Sequence, residues 1–93
     1  MIRSFAGTAV ETFFNGGKCP AQWRAFKSVA LRKLDMLEAA VKLSDLASPQ
    51  GNRLESLKGD RDGQHSIRIN DQWRVCFRWT PEGPADVEIV DYH

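Results

Sequence analysis

Three arginines and a tyrosine in the C-terminal half carry side chains that suit a phosphate-bearing ligand. Arg68, Arg74 and Arg78 alternate with apolar residues in two predicted strands, and Tyr92 follows the same alternation in the last one. Guanidinium groups bind phosphate oxygens in a bidentate way, and a tyrosine ring can stack on a base or handle a proton. The same arginines can instead pair with acidic side chains on neighbouring strands, such as Glu88, on a solvated sheet face.

The histidines and cysteines narrow the possible chemistry. His65 alternates in phase with Ile67, which predicts a structural role on the core side of its strand. His93 ends the chain directly after a predicted strand, so its imidazole can be held in place. Cys19 and Cys76 form no CxxC pair and have no clustered histidines, so we expect reduced thiols and no metal site.

A change of hydrophobic period near residue 52 divides the chain into a helical part and a strand-rich part. Residues 2–5 alternate and predict a short first strand, and Thr8 begins a short helix that Gly16 and Gly17 end. A second helix is predicted over residues 23–41, because its apolar residues recur every three or four positions. They form one stripe of Trp23, Phe26, Ala30, Leu34, Leu37 and Val41.

After residue 52 the apolar residues recur at every second position. Strands are predicted at residues 53–57, 65–69, 73–79 and 86–92, with turns between them. We therefore expect an α+β domain in which two N-terminal helices pack on one face of an antiparallel sheet. The helices cover one face, so the other stays open and carries the arginines, Cys76 and Tyr92.

Composition is that of an ordinary globular protein. The 93 residues, of which 42% are hydrophobic and 27% charged, form a single domain over residues 1–93. The net charge of +1 argues against strong non-specific binding to nucleic acid but permits a local basic patch. The basic residues between positions 18 and 33, Lys33 among them, are interpreted as a solvated helix face. No apolar run is long enough for an export signal or a membrane span, so we expect a cytoplasmic protein.

Five runs of residues carry a resemblance to a known family. They are IRSF at 2–5, GNRL at 51–54, LKGDR at 57–61, SIRINDQWR at 66–74 and VDYH at 90–93. Each run is weak alone, but together and in this order they resemble the HigB-type toxins, or plasmid-maintenance killer proteins, of the RelE/ParE superfamily. The resemblance covers essentially the whole chain. It implies a RelE-like fold of the microbial-ribonuclease type.

The resemblance also implies roles for individual residues. Lys58 matches the family's catalytic lysine and Arg74 its phosphate-binding arginine, and the family's C-terminal tyrosine and histidine fall on Tyr92 and His93. Some members carry a catalytic histidine where this chain has Glu55. Glu55 therefore either takes over part of the proton handling or lies at a dispensable position. Further RNA contacts are expected from Arg61, Arg68 and Arg78.

The implied activity is ribosome-dependent cleavage of mRNA with the RNA 2′-hydroxyl as nucleophile and without a metal or cofactor. Lys58 and Arg74 are expected to stabilise charge on the phosphorane, and the assignment of acid and base stays open. The implied partner is a HigA-type helix-turn-helix antitoxin, through which alone the toxin meets operator DNA. Two alternatives remain: a ParE-like poison of gyrase, and a non-catalytic module that binds its antitoxin.

Overall fold

The computed structural model describes residues 1–91, in which two α-helices precede a four-stranded sheet. The α-helices are α1 (Thr8–Phe14) and α2 (Lys27–Ala39), and 3-10 helices occupy Ala21–Phe26, Leu43–Ala47, Gln50–Asn52 and Gly59–Arg61. The strands are β1 (Glu55–Ser56), β2 (His65–Arg68), β3 (Trp73–Thr80) and β4 (Gly83–Asp91). This order of elements confirms the predicted α+β class. Tyr92 and His93 lie outside the described residues.

The sheet is an antiparallel meander in the order β1-β2-β3-β4. Between β2 and β3 the side chain of Asn70 closes the turn, because its Oδ1 accepts hydrogen bonds from the backbone N–H groups of Gln72 and Trp73, both at 2.8 Å. Between β3 and β4, Gly83 has a φ of 129°, and a Cβ there would lie 2.2 Å from the carbonyl oxygen of Met1. A side chain at this position would therefore displace the N-terminal segment from the sheet.

The N-terminal segment runs alongside β4 but does not form the predicted first strand. Phe5 pairs with Val87 in a single parallel bridge, and the Arg3 N–H donates to the Pro84 carbonyl at 2.7 Å. Regular pairing is interrupted because Asp86 adopts a left-handed φ of 53° beside a shift in the register of β3 and β4. The segment still covers the outer edge of β4, which protects that edge from pairing with another chain.

The predicted second helix is interrupted near its start and ends earlier than expected. A 3-10 turn gives way to α2 at Phe26, where the backbone leaves helical angles (φ −124°, ψ 24°). At the other end, Asp45 Oδ2 accepts hydrogen bonds from the N–H groups of Val41 and Lys42, at 2.9 and 3.1 Å. A longer helix would have bonded these groups internally. Val41 is consequently 86% exposed, and its predicted place on the apolar stripe is wrong.

The core lies between the helices and one face of the sheet. The other five stripe residues of the second helix are buried as predicted, and α1 joins them through Phe13, whose ring stands edge-on to Trp23 with centroids 5.4 Å apart. The sheet contributes Ile67, Val75, Phe77, Val87 and Ile89. Within residues 1–91, no helix is both long enough and apolar enough to span a bilayer.

The opposite face of the sheet is covered at one end. Arg61, in the turn after β1, reaches past β2 and β3 to Glu88 on β4, with 3.1 Å between Nη1 and Oε1. Cys76, which alternation places on this face, is fully buried. Burial raises the pKa of the Cys76 thiol, with smaller and opposing effects from Arg61 and Glu88. The thiol therefore stays protonated at neutral pH and is not an available nucleophile.

Candidate phosphate-binding site

Strand register places three of the expected site residues, Glu55, Arg68 and Arg74, in two neighbouring rows on the face of the sheet away from the helices. One row takes one residue from each strand, in the order Glu55, Ser66, Cys76 and Glu88. In the next row Arg68 of β2 lies directly opposite Arg74 of β3. Like charges at directly opposite positions repel, so this register is unfavourable unless an anion lies between the two side chains. The pair is therefore the first structural indication of an anion site.

The two arginines line a cleft of about 270 Å³. The other residues that line it are Arg53, Glu55, Asn70 and Asp71, so three guanidinium groups share the cleft with two carboxylates. Each guanidinium presents paired N–H donors that match the oxygens of a phosphate or a carboxylate. The cleft therefore favours a small anionic group over a neutral or cationic one.

Arg74 is held in place by two neighbours. Its Nη1 donates to Glu55 Oε1 at 3.2 Å, and its Nη2 donates to the backbone carbonyl of Arg53 at 2.7 Å. The side chain is 13% exposed, and its buried Nε has no hydrogen-bond partner within residues 1–91. Buried donors are normally paired, so an unpaired one needs a reason. A guanidinium fixed in an incompletely satisfied position is typical of a group arranged in advance for a ligand.

The Arg53 carbonyl reaches Arg74 because the backbone turns sharply before β1. Arg53 has left-handed angles (φ 46°, ψ 56°), which are uncommon for a residue other than glycine. The sequence interpretation missed Arg53 as a site residue. Its alternation with Glu55 in the predicted strand at 53–57 places both on one face, and this was the available signal.

The side chains of Arg68 and Glu55 are more accessible than that of Arg74. Arg68 forms an ion pair with Asp71, whose side chain is 99% exposed, so water and salt screen this interaction. The Glu55 side chain is 52% exposed and occupies one N–H of Arg74. An incoming phosphate can therefore replace Asp71 at Arg68 with little loss, and it meets the Glu55 carboxylate beside Arg74.

Two of the expected RNA contacts lie outside the cleft. Arg61 donates to Glu88 Oε1 and to Gln64 Oε1, both at 3.1 Å. Arg78 binds Asp86 Oδ2 through Nε at 3.0 Å and through Nη2 at 2.7 Å. Both arginines thus pair with acidic side chains, which is the alternative to phosphate binding that the sequence leaves open for this face. Their contact with RNA stays a prediction.

Lys58 is not among the residues that line the cleft. Lys58 is exposed just before the Gly59–Arg61 turn, and no residue within 1–91 forms an ion pair or hydrogen bond with its ammonium group. In β4, Val90 pairs with Arg74, so the strand carries the chain to the end of the sheet where the cleft lies. The predicted roles of Tyr92 and His93 fall outside the described residues.

His65 occupies the structural position that its alternation predicts. Its ring stacks on Phe77, with centroids 6.1 Å apart and an interplanar angle of 24°. Within residues 1–91, no three His, Cys, Asp or Glu side chains are grouped as metal ligands. Within residues 1–91 the cleft combines the unpaired Nε of Arg74 with three guanidinium groups, while the buried Nε1 of Trp23, Nδ1 of His65 and Oγ of Ser66 also lack hydrogen-bond partners.

Solved structures of bacterial toxins share this fold. The YoeB–YefM complex from Staphylococcus aureus aligns with a TM-score of 0.62 and 18% identity, over all of this chain and 95% of that one. The YoeB/ParE toxin from Agrobacterium tumefaciens aligns with a TM-score of 0.61 and 19% identity, over 99% of this chain and 98% of that one. The fold is therefore that of the YoeB- and ParE-type toxins.

Sequence comparison identifies the family within this class. The family model for HigB-like toxins, described as RelE-like toxins of the type II toxin-antitoxin system HigB, matches residues 3–93. Toxin HigB-1 of Vibrio cholerae serotype O1 is 42% identical over 69 residues, which are 74% of this chain and 72% of that protein. Endoribonuclease HigB of Proteus vulgaris is 27% identical over 93 residues, the full length of both. The chain belongs to the HigB-like toxin family, as its motifs predict, and its partner is therefore an antitoxin.

Proposed function

We propose that this toxin cleaves mRNA on the ribosome, and that the cleft between Arg68 and Arg74 holds the phosphate at the scissile bond. The observation that carries the proposal is the direct opposition of these two arginines in the sheet. In the free protein Arg68 pairs with the exposed Asp71 and Arg74 with Glu55, and a bound phosphate would accept hydrogen bonds from both guanidinium groups at once. Arg53 brings a third cation to the same cleft.

The comparisons and the low net charge of the chain support mRNA bound to the ribosome as the substrate. The relative from Proteus vulgaris, which is similar along its whole length, is named an endoribonuclease. The net charge of +1 gives the toxin little general attraction for nucleic acid. We therefore propose that the ribosome positions the mRNA and supplies the orientation that an isolated RNA lacks.

The reaction begins at the 2′-hydroxyl of the nucleotide before the scissile bond. Its oxygen attacks the adjacent phosphorus, and the bond from phosphorus to the 5′-oxygen of the next nucleotide breaks. The products are a 2′,3′-cyclic phosphate and a 5′-hydroxyl. One proton leaves the 2′-hydroxyl, and one reaches the departing oxygen. Glu55, half exposed and next to Arg74, is the described carboxylate best placed to accept the first proton.

The other side chains divide the remaining tasks. Arg68 and Arg74 stabilise the charge that develops on the phosphorane oxygens, and Lys58 adds a mobile cation. His93 donates the proton to the 5′-oxygen, because an imidazole exchanges protons near neutral pH. Tyr92 stacks on or orients a base. The assignments of Lys58, Tyr92 and His93 rest on the family motif, and no step requires a metal ion or cofactor.

The proposed partners follow from family membership. The antitoxin is a HigA-type helix-turn-helix protein, and the toxin meets operator DNA through that complex alone. Arg61 and Arg78 contact RNA beside the cleft after exchanging their carboxylate partners for phosphates. Ribosomes and mRNA as substrates place the action of the toxin in the cytoplasm.

Mapping of mRNA 5′ ends after induced expression tests this function. The wild-type toxin should create new 5′-hydroxyl ends inside translated regions, and Arg74→Ala should not. The purified toxin should cut mRNA on programmed ribosomes and leave the same mRNA intact without them. Efficient cutting of free RNA would refute the ribosome requirement. Intact mRNA together with inhibited gyrase supercoiling would establish the gyrase-directed alternative instead.

A further inference from the structure

A buried lysine that lacks a carboxylate partner lies behind the cleft. Lys33 of α2 is 8% exposed, and its Nζ donates a hydrogen bond to Oδ1 of Asn52, which is fully buried. None of the ion pairs within residues 1–91 includes Lys33. Burial lowers the pKa of Lys33, and the charges of Arg32 and Arg68 lower it further. The ammonium group therefore lies in surroundings that disfavour its own charge.

This arrangement is unfavourable for stability. Removing an ammonium group from water is costly, and a neutral amide oxygen compensates less than a carboxylate does. A methionine has a similar length and would fill the same space without that cost. Polar groups that lower stability where an apolar side chain would serve are typical of functional sites. Lys33 therefore requires an explanation other than packing.

The hydrogen bonds of Asn52 fix the segment that leads into the cleft. Asn52 Nδ2 donates to the carbonyl of Leu46 at 3.2 Å and to that of Ser48 at 3.4 Å. Its Oδ1 is thereby left to accept from Lys33. One amide group thus ties α2 to the turns that precede β1, and the lysine determines which way that amide faces.

The next residue after this amide contacts the cleft directly. Arg53 follows Asn52, has the left-handed φ of 46°, and its carbonyl accepts the hydrogen bond from Arg74 Nη2 at 2.7 Å. Left-handed angles at a residue other than glycine persist only where the surrounding structure holds them. Releasing Asn52 would therefore let the Arg53 carbonyl move, and the Arg74 guanidinium would lose the acceptor that orients it.

We propose that Lys33 and Asn52 are positioning residues that hold the Arg53 carbonyl, and through it the Arg74 guanidinium, in the orientation that receives the phosphate. This inference rests on the proposed function of the cleft. Its consequence is that loss of the lysine slows bond cleavage without unfolding the protein. Misplacement of a reacting group by about 1 Å costs about a hundredfold in rate, so we expect a loss of about ten- to a hundredfold.

The first test compares Lys33→Met with Lys27→Met, a matched change at an exposed position of the same helix. Lys33→Met should cleave ribosome-bound mRNA about ten- to a hundredfold more slowly in single-turnover experiments, while it stays folded at the assay temperature, because relief of the buried ammonium offsets the loss of the donor to Asn52. Lys27→Met should match the wild type in both measurements. A wild-type rate for Lys33→Met would overturn the inference.

The second test is a double-mutant cycle with Arg74→Ala. If Lys33 acts through Arg74, adding Lys33→Met to Arg74→Ala should change the residual rate by less than about twofold. A general loss of structure would instead add to the effect of Arg74→Ala. A further tenfold loss in the double variant would therefore show that Lys33 acts elsewhere and would overturn the inference.

A third measurement does not depend on catalysis. The ¹⁵N–¹H resonance of Arg74 Nε should shift in Lys33→Met and not in Lys27→Met, because the guanidinium changes its surroundings. An unchanged resonance would overturn the positioning role. A wild-type toxin that fails to cut mRNA on ribosomes would refute the proposed function, while this spectrum would still decide the inference. If Lys33→Met does not fold, Lys33→Leu replaces it, since leucine also removes the N–H donor to Asn52.

Discussion

Replacing Arg74 with alanine should abolish cleavage while leaving the fold intact. The structure gives Arg74 an ion pair with Glu55 at 3.2 Å and a hydrogen bond to the Arg53 carbonyl at 2.7 Å. A hydrogen bond from a charged donor contributes about 1.5–3 kcal/mol net, and an ion pair with a half-exposed partner about 0–1 kcal/mol. The same change removes the repulsion from Arg68, directly opposite. The free energy of unfolding should therefore fall by no more than about 3 kcal/mol.

The effect of this change on rate should be much larger. Removing one donor that is arranged in advance for a developing negative charge raises the barrier by about 2.7–4 kcal/mol, a factor of about 10²–10³. Arg74→Lys keeps the charge but loses the paired donors of the guanidinium, so it should recover only part of the rate. The order wild type, Arg74→Lys, Arg74→Ala in falling rate is the signature of bidentate phosphate binding.

Single-turnover cleavage of ribosome-bound mRNA and thermal unfolding of the same samples measure both quantities. Arg24→Ala is the matched control, because it removes an exposed arginine outside the cleft and should match the wild type. Arg74→Ala should also bind the antitoxin like the wild type. A wild-type cleavage rate for Arg74→Ala would refute the placement of the phosphate. A large fall in Tm together with lost antitoxin binding would show that Arg74 is structural.

Three further changes test other parts of the molecule. Glu55→Gln keeps the shape of the cleft but cannot accept a proton, so the plateau of the pH–rate profile should fall by about 10²–10⁴-fold, and full activity would exclude Glu55 as the base. Leu34→Ala, at a fully buried position, should lower the free energy of unfolding in urea titrations by about 2–5 kcal/mol. A loss below about 0.5 kcal/mol would contradict a core position. Removing Tyr92 and His93 should leave a folded, antitoxin-binding protein that does not cut ribosome-bound mRNA, and His93→Gln should slow cleavage by about a hundredfold. The wild-type rate in the truncated chain would remove both residues from the mechanism.

Hydrophobic period predicts the elements of this fold better than their ends. The stripe from Trp23 to Leu37 is buried as predicted, since a helix repeats its face every three to four residues. The end of α2 depends on the Asp45 side chain, which takes the N–H groups of Val41 and Lys42. The first strand fails because Asp86, far along the chain, adopts a left-handed angle opposite it. Contacts of this kind cannot be predicted from the hydrophobic period of the segment whose structure they change.

Alternation predicts the candidate site as far as neighbouring strands determine it. Arg68 and Arg74 share a face because they alternate in adjacent strands, and the register of the hairpin then makes them directly opposite. Cys76 shares that alternation but is buried, because the side chain of Arg61 crosses the face to reach Glu88, 27 residues further along the chain. Alternation within a strand determines which face of the sheet a residue occupies, whereas residues distant in sequence determine whether that residue is buried.

Lys33 is a second residue whose burial depends on a residue distant in sequence, and it connects stability with function. Its place in a basic segment beside the apolar stripe favours a solvated helix face, and the structure contradicts this because Asn52 packs against it. Lys33, Arg68 and Arg74 then concentrate positive charge around one cleft in a chain whose net charge is only +1. Of these three, Lys33 is the one that is buried without a carboxylate partner within residues 1–91, and its burial lowers the stability of the free toxin. A phosphate that binds the folded state alone stabilises it, so occupation of the cleft should raise the Tm as the phosphate concentration rises above its Kd. The arginines that hold carboxylates in the free protein are thus the same ones that give the cleft its affinity for the phosphate.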